Sequence, residues 1–124
     1  MELDWNSGGL AAGLACYRNQ EFFEAHEHWE GVWNELVDPE RPFLQGLIQV
    51  TVAMHHYQRA NLLGAERQLR RAVERLERCP ACFGGIDVAT LRGDVRAWLR
   101  ALEKGEEFSA TFPRIEAAAR SPEE

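Results

Sequence analysis

Phe22-Phe23-Glu24-Ala25-His26-Glu27-His28-Trp29-Glu30-Gly31-Val32-Trp33, answered after a loop by Met54-His55-His56-Tyr57, is the stretch on which the fold turns. At about 100° per residue, Phe22, Ala25, Trp29, Trp33 and Leu36 fall on one side of a helix, with Val32 at the margin. That is a core stripe, and two tryptophans supply its bulk. His26 and Glu30 ride the edge of the stripe one turn apart. Glu27 and Asn34 lie further round, and Glu24, His28 and Glu35 face the opposite side, where His28 is expected to be solvated or salt-bridged. An imidazole and a carboxylate four residues apart can reach one point between them, as chelation or a shared proton requires.

The following helix repeats the theme. Leu44, Leu47, Ile48, Thr51, Met54 and His55 form its apolar face, while Gln45, Gln49 and His56 gather on one flank. If the two helices pack antiparallel through their stripes, His55 is the histidine that approaches His26 and Glu30. Zinc accepts such a nitrogen and oxygen set, commonly with three protein ligands and a free position when it does chemistry. His26, Glu30 and His55 are therefore the candidate ligands of a divalent metal ion, with Glu27 and His56 as alternates. The same residues can instead form a metal-free network that fixes helix register, or an acid–base or ligand site. In a metal enzyme the reaction would be hydrolysis by bound water, with Glu27 or Glu30 as proton acceptor. The H-E-x-x-H pattern of zinc peptidases is absent, because Glu30 stands where its second histidine would be.

Composition narrows the classes. A chain of 124 residues with 45% hydrophobic and 27% charged residues fits one globular domain that needs no disulfides. Its apolar runs are too short to span a membrane. Met1 to Asn6 lacks the basic start and apolar core of a signal peptide, so a cytoplasmic protein is expected. A net charge of −6 argues against binding nucleic acid through the whole-surface field. Three cysteines make no secreted disulfide framework.

Along the chain, periodicity predicts an all-α bundle of about five helices within residues 1–105, and an extension over 106–124. The first helix covers Trp5 to Arg18 behind Ser7 as N-cap, weakened by Gly8, Gly9 and Gly13. The second runs from an Asn19 cap to about Val37, where Pro39 and Pro42 force a break and Pro42 can open the third. Gly46 allows close helix approach. The third helix ends near Asn61 to Gly64. The fourth covers Ala65 to Arg78 with Ala65, Leu69, Ala72, Val73 and Leu76 inward and a solvated charged face on which Arg70 pairs with Glu74. Cys79-Pro80-Ala81-Cys82 reads as an interhelical turn, since no strand-first redox context and no second cysteine pair accompany it. Cys16 is a small core residue. Asp87 caps a fifth helix with Val88, Leu91, Val95, Trp98 and Leu102 inward. Phe108, Phe112 and Ile115 dock on the bundle, and Ala117 to Glu124 fray. The expected common core is Trp29, Trp33, Leu47, Ile48, Leu69, Val73, Val95 and Trp98.

The segment Phe22 to Glu30, with Phe43-Leu44-Gln45-Gly46-Leu47-Ile48-Gln49 and Gly64-Ala65, resembles the family known as domain of unknown function 309. The resemblance extends over about Asn19 to Leu102. Its signature of histidine, three residues, glutamate, two residues and tryptophan or tyrosine falls on His26, Glu30 and Trp33. The resemblance implies a small all-helical protein suspected to bind metal through that signature, and no activity. The leading expectation is a polar His/Glu site between the second and third helices that binds a divalent metal such as zinc. The alternative is a non-catalytic scaffold or interaction protein, with homodimer formation through exposed Trp5 or Phe112.

Overall fold

Proline spacing sets the middle of the fold. In the computed structural model, which describes residues 3–106 and 111–118, α3 (Glu40–Gln58) begins directly after Pro39 and carries Pro42 in its first turn, where a missing N–H costs nothing. Before it come α1 (Gly8–Arg18) and α2 (Phe22–Trp33), and after it α4 (Leu62–Glu77) and α5 (Val88–Glu103). Consecutive helices pack on one another, α1 on α2, α2 on α3, α3 on α4 and α4 on α5. The all-α bundle expected from periodicity is therefore the architecture, with five helices among the described residues.

Two strands too short to detect by periodicity join α4 to α5. Cys82–Phe83 (β1) pairs antiparallel with Ile86–Asp87 (β2), with Phe83 opposite Ile86. The turn residues Gly84 and Gly85 both have positive φ, 57° and 83°. Glycine adopts that conformation freely, and it is what a two-residue hairpin with the right twist demands.

Helix ends depart from expectation where local capping decides them. Ser7 is at the N-cap of α1, but its hydroxyl donates to Asp4 Oδ2 at 2.6 Å and makes no cap bond. Asn19 closes α1 and does not open α2, which starts after Glu21 and stops at Trp33 instead of continuing to Val37. Asn61 opens α4, its side chain accepting from Gly64 N at 3.0 Å. Asp87 caps α5 as expected, with Oδ1 accepting from Thr90 N at 3.0 Å. Arg70 pairs with Glu66 at 3.1 Å and with Glu103 of α5 at 2.6 Å, not with Glu74.

Trp29, Leu47, Ile48, Leu69, Val95 and Trp98 are buried in one core as expected. Trp33 and Val73 are corrections, since both are only partly buried. Trp33 is the last residue of α2, so its indole overhangs the edge of the stripe. Trp5 packs edge-on to Trp29 at 6.0 Å and donates to Gly84 O at 2.7 Å. Phe112 lies against Phe22 at 4.9 Å and Trp98 at 5.8 Å. Both aromatics that motivated a homodimer are thus engaged within the chain.

Residues 111–118 cross α1, α5 and the hairpin. Buried Tyr17 donates its hydroxyl to Pro113 O at 2.6 Å, Asp87 N donates to Glu116 O, and Ile86 bridges Ala117. Arg114 binds Asp94 at 2.9 Å. Burial opposes the charged form of Asp94, and the hydrogen bonds and charge of Arg114 outweigh it, holding the carboxyl below its ordinary range. Ala117 and Ala118, expected to fray, are tied to the hairpin instead. Phe108 and residues 119–124 lie outside the described residues.

The glycines of α1 have a packing reason. A Cβ on Gly13 would fall inside the Trp29 indole, and one on Gly9 would stand 2.7 Å from Val32 Cγ2. Gly13→Ala is expected to destabilise the protein by about 1–3 kcal/mol through overpacking. Gly93→Ala, in α5 with nothing within 4 Å, is expected to stabilise by about 0.5–1 kcal/mol through helix propensity. Urea unfolding of the two variants checks the opposite signs.

Candidate functional site

The antiparallel packing of α2 on α3 sets the heights of the candidate residues. Phe23, at the start of α2, meets His55, near the end of α3, with ring centroids 5.6 Å apart. Trp33, at the other end of α2, shares a recess with Gln45 of α3. Between these levels His26 Nε2 stands 2.7 Å from Glu30 Oε2, the contact that their four-residue spacing predicts. It is an ion pair when the imidazole is protonated and an N–H···O hydrogen bond when it is neutral. The pair sits at the rim, with side-chain exposures of 27% and 54%.

A recess of about 290 Å³ opens beside the pair. His26, Glu30 and Trp33 of α2, Gln45 and Gln49 of α3, and Gln68 and Arg71 of α4 line it, with the apolar Ile48 and Val52 completing the lining. Gln49 is only 7% exposed, and its Oε1 is buried with no hydrogen-bond partner. Trp33 Nε1 is likewise buried and unpartnered, and the guanidinium carbon of Arg41 lies 3.9 Å from the centroid of its ring. Buried polar groups are overwhelmingly satisfied, so a lone acceptor and a lone donor in the wall of one recess mark it. Sequence reasoning placed Gln45 and Gln49 on a common flank but gave them no role. The contributions of Gln68 and Arg71 needed the α3–α4 packing.

His55 is placed differently. Its ring is against Phe23, as is that of His26 at 6.1 Å, and it does not line the recess. Burial lowers its pKa first, and the positive charges of Arg59 and His56 lower it further, against a smaller opposite effect from Glu24. His56 Nδ1 faces the Asn61 amide at 3.3 Å, which ties it to the cap of α4. Glu27 is exposed on the outer side of α2, as is His28. Among the described residues, no three of His, Cys, Asp and Glu stand together as a metal-holding group. His26 and Glu30 therefore supply two donors at one point, one short of the three protein ligands usual for catalytic zinc.

The cysteines are free. Cys79 is half-buried, its thiol donating to Arg75 O at 3.6 Å. Burial pushes its pKa up despite Arg92, and burial also raises that of Cys16. Neither has the depressed pKa of a reactive thiol.

Residues 10–68, which include α2, α3 and the first half of the recess wall on α4, match a family model described as Domain of unknown function (DUF309). The matched region is shorter than the Asn19 to Leu102 span of the sequence resemblance and begins further upstream, inside α1. An uncharacterised protein of Aquifex aeolicus (strain VF5) is 28% identical over 96 residues, 77% of this chain and 24% of that protein. Uncharacterized protein YpuF of Bacillus subtilis (strain 168) is 33% identical over 64 residues, 49% of this chain and 36% of that one. The chain thus spans about a quarter and about a third of these curated relatives. Among the described residues no helix is long and apolar enough to cross a membrane.

His55 provides a pH test. With its folded-state pKa below the unfolded one, its contribution to stability is full above the ordinary histidine range, near pH 6.5. It is lost as pH falls through the folded pKa. Histidine-resolved NMR titration should show His55 charging below that range, and Arg59→Gln should move its titration upward. A His55 that titrates at or above the free-histidine value would contradict this electrostatic picture.

Proposed function

We propose that the protein binds a small polar ligand in the recess between α2, α3 and α4, with the His26–Glu30 pair at its rim. The observation that carries this reading is Gln49 Oε1, a buried acceptor without a partner in the recess wall. Leaving such a group unpaired costs about 1–3 kcal/mol, which a bound donor would offset. Trp33 Nε1 offers the complementary donor from the same wall.

A resident divalent cation fits less well. The histidine and glutamate give two donors, and Arg71 lines the same recess with a positive charge that a dication would meet. Calorimetric titration of chelator-treated protein with zinc is expected to show no binding tighter than about 10 μM. Stoichiometric binding tighter than that, abolished by Glu30→Gln, would instead make His26 and Glu30 metal ligands.

Gln49→Leu separates a binding site from a structural network. If Gln49 is held unpaired for a ligand, replacing its amide with an apolar side chain of similar size should stabilise the ligand-free protein by about 1–2 kcal/mol. Chemical denaturation of wild type and variant measures it. A loss of stability would show that the fold itself satisfies Gln49 and would favour the scaffold alternative, in which these polar residues fix helix register.

A further inference from the structure

The recess adjoins a second one, of about 340 Å³, through the shared walls of Trp33 and Gln45. Asp38, Arg41, Pro42 and Arg75 complete the second. Arg71 and Arg75 lie one turn apart on α4, and the chain is brought close there, because a Cβ on Gly46 of α3 would stand 3.5 Å from Arg75 Cβ. Arg41 approaches from α3 with its guanidinium over the Trp33 ring.

Unpaired arginines on a solvated helix face carry no information. These three differ because they line two adjoining recesses that share Trp33 and Gln45, and no carboxylate lies within ion-pair distance of any of them among the described residues. By contrast, Arg70, Arg96 and Arg114 are each paired. Arg41 Nε is moreover a buried donor without a partner. Its guanidinium carbon lies over the Trp33 ring, and the side chain makes no hydrogen bond or ion pair within the chain among the described residues. Of the acidic groups in the two recesses, Glu30 is engaged by His26, and only Asp38 stands against the three cations. The local charge is thus positive on a chain whose net charge is −6.

We infer that the ligand is a phosphate-bearing small molecule, its phosphate held by Arg41, Arg71 and Arg75 and its hydroxyl end reaching Gln49 Oε1. This deepens the reading of the recess as a ligand site and rests on it. A phosphate monoester carries nearly two negative charges and three strong acceptor oxygens, enough to engage several guanidiniums and the Trp33 N–H, whereas a carboxylate is matched by one guanidinium. Gln49 accepts and cannot hold an anion through Oε1, so the far end of the ligand must donate a hydrogen bond.

The test is calorimetry, with the Trp33 indole N–H resonance followed in parallel, using inorganic phosphate, ribose 5-phosphate, ribose and acetate as probes at low and physiological salt. Both phosphate probes should bind and shift the Trp33 resonance, ribose 5-phosphate more tightly, with affinity falling as salt rises. Arg71→Gln and Arg75→Gln should each weaken ribose 5-phosphate about tenfold or more, the loss of one charge-assisted contact. Arg70→Gln, whose native guanidinium already serves Glu66 and Glu103, should leave it unchanged. Equal weakening by Arg70→Gln, acetate binding as tight as phosphate, or no binding of either phosphate probe would overturn the inference. If neither phosphate probe binds while Gln49→Leu still stabilises the protein, only the anionic ligand is lost and the recess remains a site. If Gln49→Leu also destabilises, both fall.

Discussion

The seating of Trp29 in the glycine face of α1 is the constraint from which the rest follows. The indole occupies the volume a side chain on Gly13 would need, and its N–H donates to Leu10 O at 3.2 Å. A large aromatic with one polar atom can be fully buried only when that atom is satisfied, and here the backbone of the neighbouring helix satisfies it. Around it Tyr17 stacks at 6.1 Å, and Phe22, Phe112 and Trp98 continue the aromatic contact to α5 and the C-terminal segment. With α2 fixed about its axis in this way, His26 and Glu30 must emerge along the seam with α3.

The second recess opens where α2 stops. Had it continued to Val37, another turn would have stood opposite Arg41 to Leu44 at the start of α3. Instead the chain leaves the helix after Trp33 and returns through Pro39, and Trp33, Asp38, Arg41 and Pro42 line the hollow left there. On the other side Gly46 lets α3 and α4 close, with Leu76 Cδ2 3.2 Å from where its Cβ would be. That contact carries Arg71 to the recess of the His26–Glu30 pair and Arg75 to the adjoining one. One helix ending early and two helices meeting closely together make a polar hollow in the side of an otherwise apolar bundle.

The class of fold was legible because five apolar stripes of helical period leave few other arrangements. The His26–Glu30 contact was legible because it lies within one turn of one helix. The approach of His55 to that pair was not, since a helical wheel gives angle and no height. With Phe23 level with His55 and Trp33 with Gln45, the level of His26 is that of Val52, and His55 lies three residues on, about 4.5 Å along the axis. The end of α2 was overrun because Leu36 kept the apolar period past the last helical hydrogen bond. The Gly84-Gly85 hairpin was a readable signal, a pair of glycines between short β-prone segments, that the all-helical pattern overshadowed. Gln49 and Arg41 carried no signal, because an unpartnered atom exists only once everything around it has been placed.

The hairpin also fastens the two ends of the described chain. Trp5 Nε1 donates to Gly84 O and Ala118 N to Gly85 O at 2.9 Å, so segments 113 residues apart in sequence are held on adjacent carbonyls. Under tension applied between residues 5 and 118, the load would pass first through this clasp and not along the helices. The clasp sets only a few hydrogen bonds against the packed aromatic core that holds Trp29. Mechanically, the protein is a helical bundle closed at its chain ends by a latch of few hydrogen bonds.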